Sequence, residues 1–131
     1  MTTSKVEVTT VDDIRILTLR GEFMGGEGTS DLREALANEA KGGSGGLLID
    51  MAEATYLDST TLGVLIGAHT SFSRRGAAIG LCNLSGNVEK IFVITKLALV
   101  LSIYPTREEG LRAMAGGVTR PVSDGYINRA L

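Results

Sequence analysis

Asp58, Ser59, Thr60 and Thr61 stand side by side in TYLDSTTLGVLIG (55–67), directly ahead of an apolar run. A carboxylate and neighbouring hydroxyls at a helix start can serve three ends. They cap the helix by accepting bonds from its orphan backbone N–H groups. They supply a nucleophile for hydrolysis. Or they offer a hydroxyl for modification, because a helix N-terminus favours an added anion. Capping accounts for Asp58 or Ser59, but a helix needs only one such residue. Hydrolysis would pair Ser59 and Asp58 with His69, the one histidine of the chain. Ten helical positions separate Ser59 from His69, roughly 15 Å at the helical rise, whereas a nucleophile and its base must approach to about 3 Å. No G-x-S-x-G elbow frames the serine, so the spacing argues against a triad. His69 reads as an ordinary helix residue. Phosphorylation at Ser59 stays open, since a dianion there would be felt mainly by whatever sits on it.

Gly63 and Gly67 follow Ser59 at intervals of four and share a helical face with it. Each costs about 1 kcal/mol relative to alanine inside a helix, so something approaches that face closely. Two occupants fit: the protein's own sheet, or a partner docking on a flat strip beside Ser59.

Other chemistry finds little support. GGEGTSD (25–31) with Asp50 downstream imitates a dinucleotide fingerprint. Asp31, however, replaces the third glycine, and a hairpin precedes the motif, so a flexible loop accounts for it better. No G-x-x-x-x-G-K-[ST] occurs. Cys82 lies among apolar neighbours and reads as a buried, inert thiol. No cysteine–histidine cluster has metal-ligand spacing, so neither metal nor other cofactor is expected. The 131 residues bound a single domain, and a net charge of −2 leaves no basic footprint for nucleic acid or anionic lipid. MTTSKVEV lacks a signal-peptide core, and no apolar run approaches the roughly 20 residues of a membrane span. The expected location is the cytoplasm.

The elements that must position this corner follow from periodicity. KVEVT (5–9) alternates as a half-exposed strand, TVDD turns, and IRILTLR (14–20) completes a hairpin. GEFMGGEGTS reads as a glycine-rich loop ending in a helix N-cap at Ser30. Leu32, Ala35 and Leu36 then keep helical spacing up to a Gly42-Gly43 stop. GLLID (46–50) is a central strand covered on both faces. The Ser59 helix runs to about Arg75, and AAIGLCNL is a further strand. SGNVEKIFVITKL places Val88, Ile91, Phe92 and Thr95 on one helical face. LSIYP is a short strand, and Thr106 with Glu109 has capping-box spacing for a last helix. Alternating strands and helices predict an α/β fold, parallel where right-handed helical crossovers connect the strands. Residues 1–115 form the domain, and 116–131, rich in breakers, read as a disordered tail.

Three quoted stretches, GLLIDMAEATY, LDSTTLGVLIG and GAAIGLCNLSGNVEKIFVITKL, together resemble the STAS domain family, specifically the bacterial anti-sigma factor antagonists. The resemblance covers about residues 5–114. It implies a mixed β-sheet core with helices packed chiefly on one side, and a phosphorylation-controlled binding role rather than an enzyme. The family motif D-S-[ST]-G-L-G carries its phosphoacceptor directly after the aspartate, here Ser59. The resemblance further implies two protein partners: an anti-sigma factor with serine-kinase activity, bound while Ser59 is unmodified, and a serine phosphatase. It places Glu22, Met24, Asp58, Thr60, Thr61, Gly63 and Gly67 on the partner-binding face. Four positions depart from the family pattern: Thr61 and Lys96 where glycine is usual, Met24 in place of an aspartate, and Gly86 in place of a proline. A constitutive STAS interaction module, in a lipid-transport complex or a signalling scaffold, is the alternative these departures leave.

Overall fold

The structure, a computed structural model, describes residues 4–42 and 46–115. Gly43 of the predicted helix stop and the predicted tail, 116–131, lie outside the described residues. Alternating residues in the first strand and its neighbour pair as a hairpin. β1 (Lys5–Val11) runs antiparallel to β2 (Ile14–Phe23), with register Lys5↔Arg20 through Val11↔Ile14. Asp12 closes the turn at φ 54°, a left-handed conformation that aspartate tolerates better than most residues. β3 (Leu47–Leu57), β4 (Ile79–Cys82) and β5 (Ile103–Tyr104) follow in parallel, giving one mixed five-stranded sheet in the order β1-β2-β3-β4-β5.

Successive β-residues point to opposite faces, and the sheet uses both. Leu17, Leu19, Leu47, Ile49 and Leu81 face one side. Three helices bury them: α1 (Gly26–Gly42) through Leu32 and Leu36, α2 (Ser59–Arg74) through Leu62, Leu65 and Phe72, and α3 (Gly86–Ile94) through Val88 and Phe92. Ile14, Leu48, Cys82 and Tyr104 face the other side, under Met114 of α4 (Arg107–Ala115). With three of the four α-helices among the described residues on one face, the sequence-based expectation of the fold holds. Thr106 caps α4 by accepting the Glu109 N–H at 3.1 Å, as the spacing predicted.

Asp50 is a buried carboxylate on the α4 side. It is 5% exposed and accepts from the Ala52 N–H, the Asn83 amide and the Arg107 guanidinium at 2.9–3.0 Å. Burial alone would push its carboxyl up. The Ala52 N–H, Asn83 and Arg107 outweigh that and hold it below its ordinary value.

Two expectations need correction. β3 does not stop at Asp50 but continues to Leu57, seven residues further. Only Leu47–Asp50 pairs with β4. The rest projects along β2 alone, with register shifts between Thr18/Arg20 and Gly21/Glu22. Those irregularities bury Met51, Ala54 and Leu57, one in three, so the segment lacks the alternation that marks a strand. The second correction concerns α1, which begins at Gly26, so Ser30 lies inside the helix and is not its N-cap. Thr29, not Ser30, bonds the chain before the helix, accepting the Gly25 N–H at 3.0 Å. No helix among the described residues is long and apolar enough to cross a membrane.

Candidate functional site

The projecting half of β3 delivers two chain ends to one corner. Phe23 and Leu57 are paired at the ends of β2 and β3, and beyond them the strands turn into α1 and α2 respectively. On the β2 side, Gly25 and Gly26 take φ of 75° and 68°, which turns the chain sharply past Met24. On the β3 side, Asp58 adopts the extended conformation of an N-cap (φ −88°, ψ 177°). Its own N–H donates to the Phe23 carbonyl at 2.9 Å, which fastens the two ends together.

Asp58, and not Ser59, is the cap. Its Oδ1 accepts the Thr61 N–H at 2.9 Å and the Thr61 hydroxyl at 2.8 Å. Thr61 has one hydroxyl proton, and the short contact to a carboxylate takes it; the Phe23 carbonyl lies further off, at 3.2 Å. The 2.9 Å contact between the Thr61 and Thr29 hydroxyls is then donated by Thr29. Thr29 in turn accepts from the Gly25 N–H. The bonds run in one direction: Gly25, Thr29, Thr61, Asp58. Both threonines are sealed from solvent, at 2% and 0% exposed.

This assigns a task to each residue of the opening cluster. Asp58 caps and Thr61 braces, while Ser59 and Thr60 remain exposed on the first turn of α2. Thr61 must therefore be removed from the partner-binding face. A fully buried side chain touches no partner, and its hydroxyl is committed inside the fold. Thr61 is equally unavailable as an acceptor of phosphate. Glu22 and Met24 are exposed beside the corner, Met24 at 62%.

The glycine question also resolves. A Cβ built on Gly63 or on Gly67 meets nothing within 4 Å, and both residues are exposed, so neither packs on the sheet. They line an open groove of about 520 Å³ between α2 and α1. Thr60, Gly63, Gly67 and Ser71 form one wall, and Arg33, Ala37 and Ala40 of α1 the other. The hydroxyl at the head of this stripe is that of Thr60, and Ser59 is not among its lining residues.

The sequence left Thr29 and Arg33 unmarked. Thr29 sits in a stretch that reads only as a loop, and its partner is 32 positions away, beyond any local pattern. Arg33 was legible in principle, since Arg33, Leu36, Ala37 and Ala40 keep the spacing of one helical face. His69 takes no part in the corner. Its Nδ1 is buried without a hydrogen-bond partner among the described residues, and the ring lies beside a small void lined by Leu65, Leu81 and Leu101. Cys82 is fully buried, which pushes its thiol up to about 12. No group of three metal-ligating side chains comes together among the described residues.

Comparison with known proteins agrees with this architecture. The family model of the STAS domain matches residues 5–110. The anti-sigma-B factor antagonist of Listeria monocytogenes is 40% identical over 57 residues, covering 44% of this chain and 50% of that protein. The match thus spans half the length of that relative. The anti-sigma-B factor antagonist of Bacillus subtilis is 35% identical over 81 residues, covering 62% of this chain and 73% of that protein. Among solved structures, the anti-sigma factor antagonist SpoIIAA in its unphosphorylated form superimposes with a TM-score of 0.72 at 18% identity, over 86% of this chain and 97% of that one. Its phosphorylated form, from Bacillus, gives a TM-score of 0.65 at 17% identity, over 82% and 97%. At these identities the structural likeness concerns the fold.

Proposed function

Because the chain belongs to the STAS domain family, whose antagonist members are regulatory binding partners rather than enzymes, we propose that it is an anti-sigma factor antagonist switched at Ser59. Unmodified, it binds an anti-sigma factor that carries serine-kinase activity, and the sigma factor is released. Transfer of phosphate from ATP to the Ser59 hydroxyl breaks that complex, and a serine phosphatase restores it. Glu22, Met24, Thr60, Gly63 and Gly67 form the surface around the acceptor.

One observation carries the reading. Asp58 caps the helix by accepting the Thr61 N–H and hydroxyl, so the exposed Ser59 hydroxyl is not needed as the cap and makes no hydrogen bond among the described residues. A phosphate there is compatible with the fold, because the N-terminal end of α2 favours negative charge. The same phosphate is incompatible with an interface shaped for a hydroxyl. It adds a charge of about −1.5 to −2 together with bulk, and burying it without a cation costs several kcal/mol. Such a loss weakens binding by about a hundredfold or more. SpoIIAA, known in a phosphorylated and an unphosphorylated state, offers a precedent on the same fold.

The test uses the ATPase-type anti-sigma factor encoded nearest to the gene. Ser59→Ala should bind it constitutively and take up no phosphate, whereas Ser59→Asp should fold normally and bind poorly. Phosphate uptake by Ser59→Ala would move the acceptor to Thr60. A wild-type protein that binds the partner but is never modified would instead be a constitutive interaction module, a reading to which the exposed Met24 lends support.

A further inference from the structure

The hydroxyls of Thr29 and Thr61 come from the first turns of different helices, yet they are 2.9 Å apart and almost wholly buried. Buried hydroxyls are costly unless each is paired, and here each satisfies the other. Thr61 reaches onward to Asp58, which sets the start of α2 and so the place of Ser59. Thr29 reaches back to the Gly25 N–H, which sets the turn that presents Met24. The Asp58 N–H holds the strand end at the Phe23 carbonyl, and a Cβ on Gly25 would meet the Asp58 carboxylate at 3.6 Å; beyond that the turn is open, with Gly25 and Gly26 in the left-handed region and nothing within 4 Å of a Cβ on Gly26.

We propose that Thr29 and Thr61 are positioning residues, a buried latch that holds the Met24–Gly25 turn and the Ser59 helix start as one recognition surface. The consequence for partner choice rests on the proposed function, but the latch itself does not. Neither threonine touches a partner. Each acts through a neighbour, Thr61 through Asp58 and Thr29 through Gly25. A partner then meets the Met24 side chain and the Ser59 hydroxyl at a fixed separation, so little conformational freedom is lost there on binding.

The test reads amide exchange in the isolated full chain first. Thr61→Val keeps the shape and deletes the hydroxyl. It should speed exchange of the Gly25 N–H about tenfold, although Thr61 makes no bond to Gly25. Thr29→Val, read at the Thr61 N–H, tests the latch from the other side and serves alone if Thr61→Val fails to fold. The double variant should be no faster than the quicker single one, because one chain of bonds is being cut twice. Thr61→Ser, which keeps the hydroxyl, should restore slow exchange. Unchanged exchange in the valine variants, or effects that simply add, would overturn the latch whatever the partner does.

Affinity for the anti-sigma factor is then compared across the same set. It should fall about fivefold or more in the valine variants and return in Thr61→Ser. Altered exchange with unaltered affinity would overturn the role in recognition. Intact exchange behaviour in a wild type that binds no anti-sigma factor would defeat the proposed function and leave the latch standing.

Discussion

Replacing Gly63 and Gly67 by alanine should make the protein more stable and a poorer binder. Glycine in a helix interior costs about 1 kcal/mol relative to alanine, through its extra freedom in the unfolded chain. An added methyl recovers that cost only where it has room. Here a Cβ at either position meets nothing within 4 Å, and both lie well inside α2. The double substitution Gly63→Ala/Gly67→Ala should therefore add about 2 kcal/mol of stability. For a domain of this size that raises Tm by roughly 6–10 °C. Circular dichroism at 222 nm during heating measures the shift directly. Titration calorimetry with the proposed anti-sigma factor partner measures the opposite effect, since each methyl projects into the groove between α1 and α2. Gly63→Leu should weaken binding further without unfolding the chain. A lowered Tm in the double alanine variant would refute the argument, because it would mean that the fold itself needs bare backbone there. A raised Tm with undiminished affinity, even for Gly63→Leu, would remove the stripe from the interface.

Three further outcomes follow from the geometry. Lys96 sits at φ 64° after α3, where a side chain is strained and glycine is not, so Lys96→Gly should gain about 0.5–1 kcal/mol in a thermal or denaturant melt; a loss would show that the lysine stem packs usefully. Asp50→Asn should cost about 2 kcal/mol at neutral pH, because the charge-assisted network loses its negative charge and one of its two acceptor oxygens, with Arg107 partly solvated and so limiting the penalty. The folded-state pKa of Asp50 is lowered, so its contribution is present above the ordinary value of 3.8 and fades as pH falls through the folded one. Urea melts of wild type and variant should accordingly converge in acid, and a gap that is constant with pH would contradict the assignment. Cys82, buried and pushed up to about 12, should resist a thiol reagent at pH 8 until denaturant is added; rapid native labelling would mean that the strand opens.

Much of this molecule is written in short-range patterns. The β1–β2 hairpin, the alternation of later strands with helices, and the buried faces of α1 and α3 follow from the spacing of apolar residues, because periods of 2 and 3.6 reflect which side of an element meets the core. The Thr106 cap is equally local, since its partner is three positions away. The motif Asp58-Ser59 located the corner, and its cap was one of two readings the residues allowed. Tertiary structure decided the rest. β3 runs on to Leu57 because β2 pairs with it there, although its own residues do not alternate. α1 begins at Gly26 rather than after Ser30, and Thr29 is fixed by a hydroxyl 32 positions away. Thr61 looks like a neighbour of Ser59 in the chain and faces the opposite way in the fold, while Gly63 and Gly67 could have faced sheet or solvent and face solvent. A sequence determines which residues can be buried and which groups can cap. Which group meets which across the core depends on how strands and helices come together, and hydrogen bonds between distant residues leave no periodic trace in the chain.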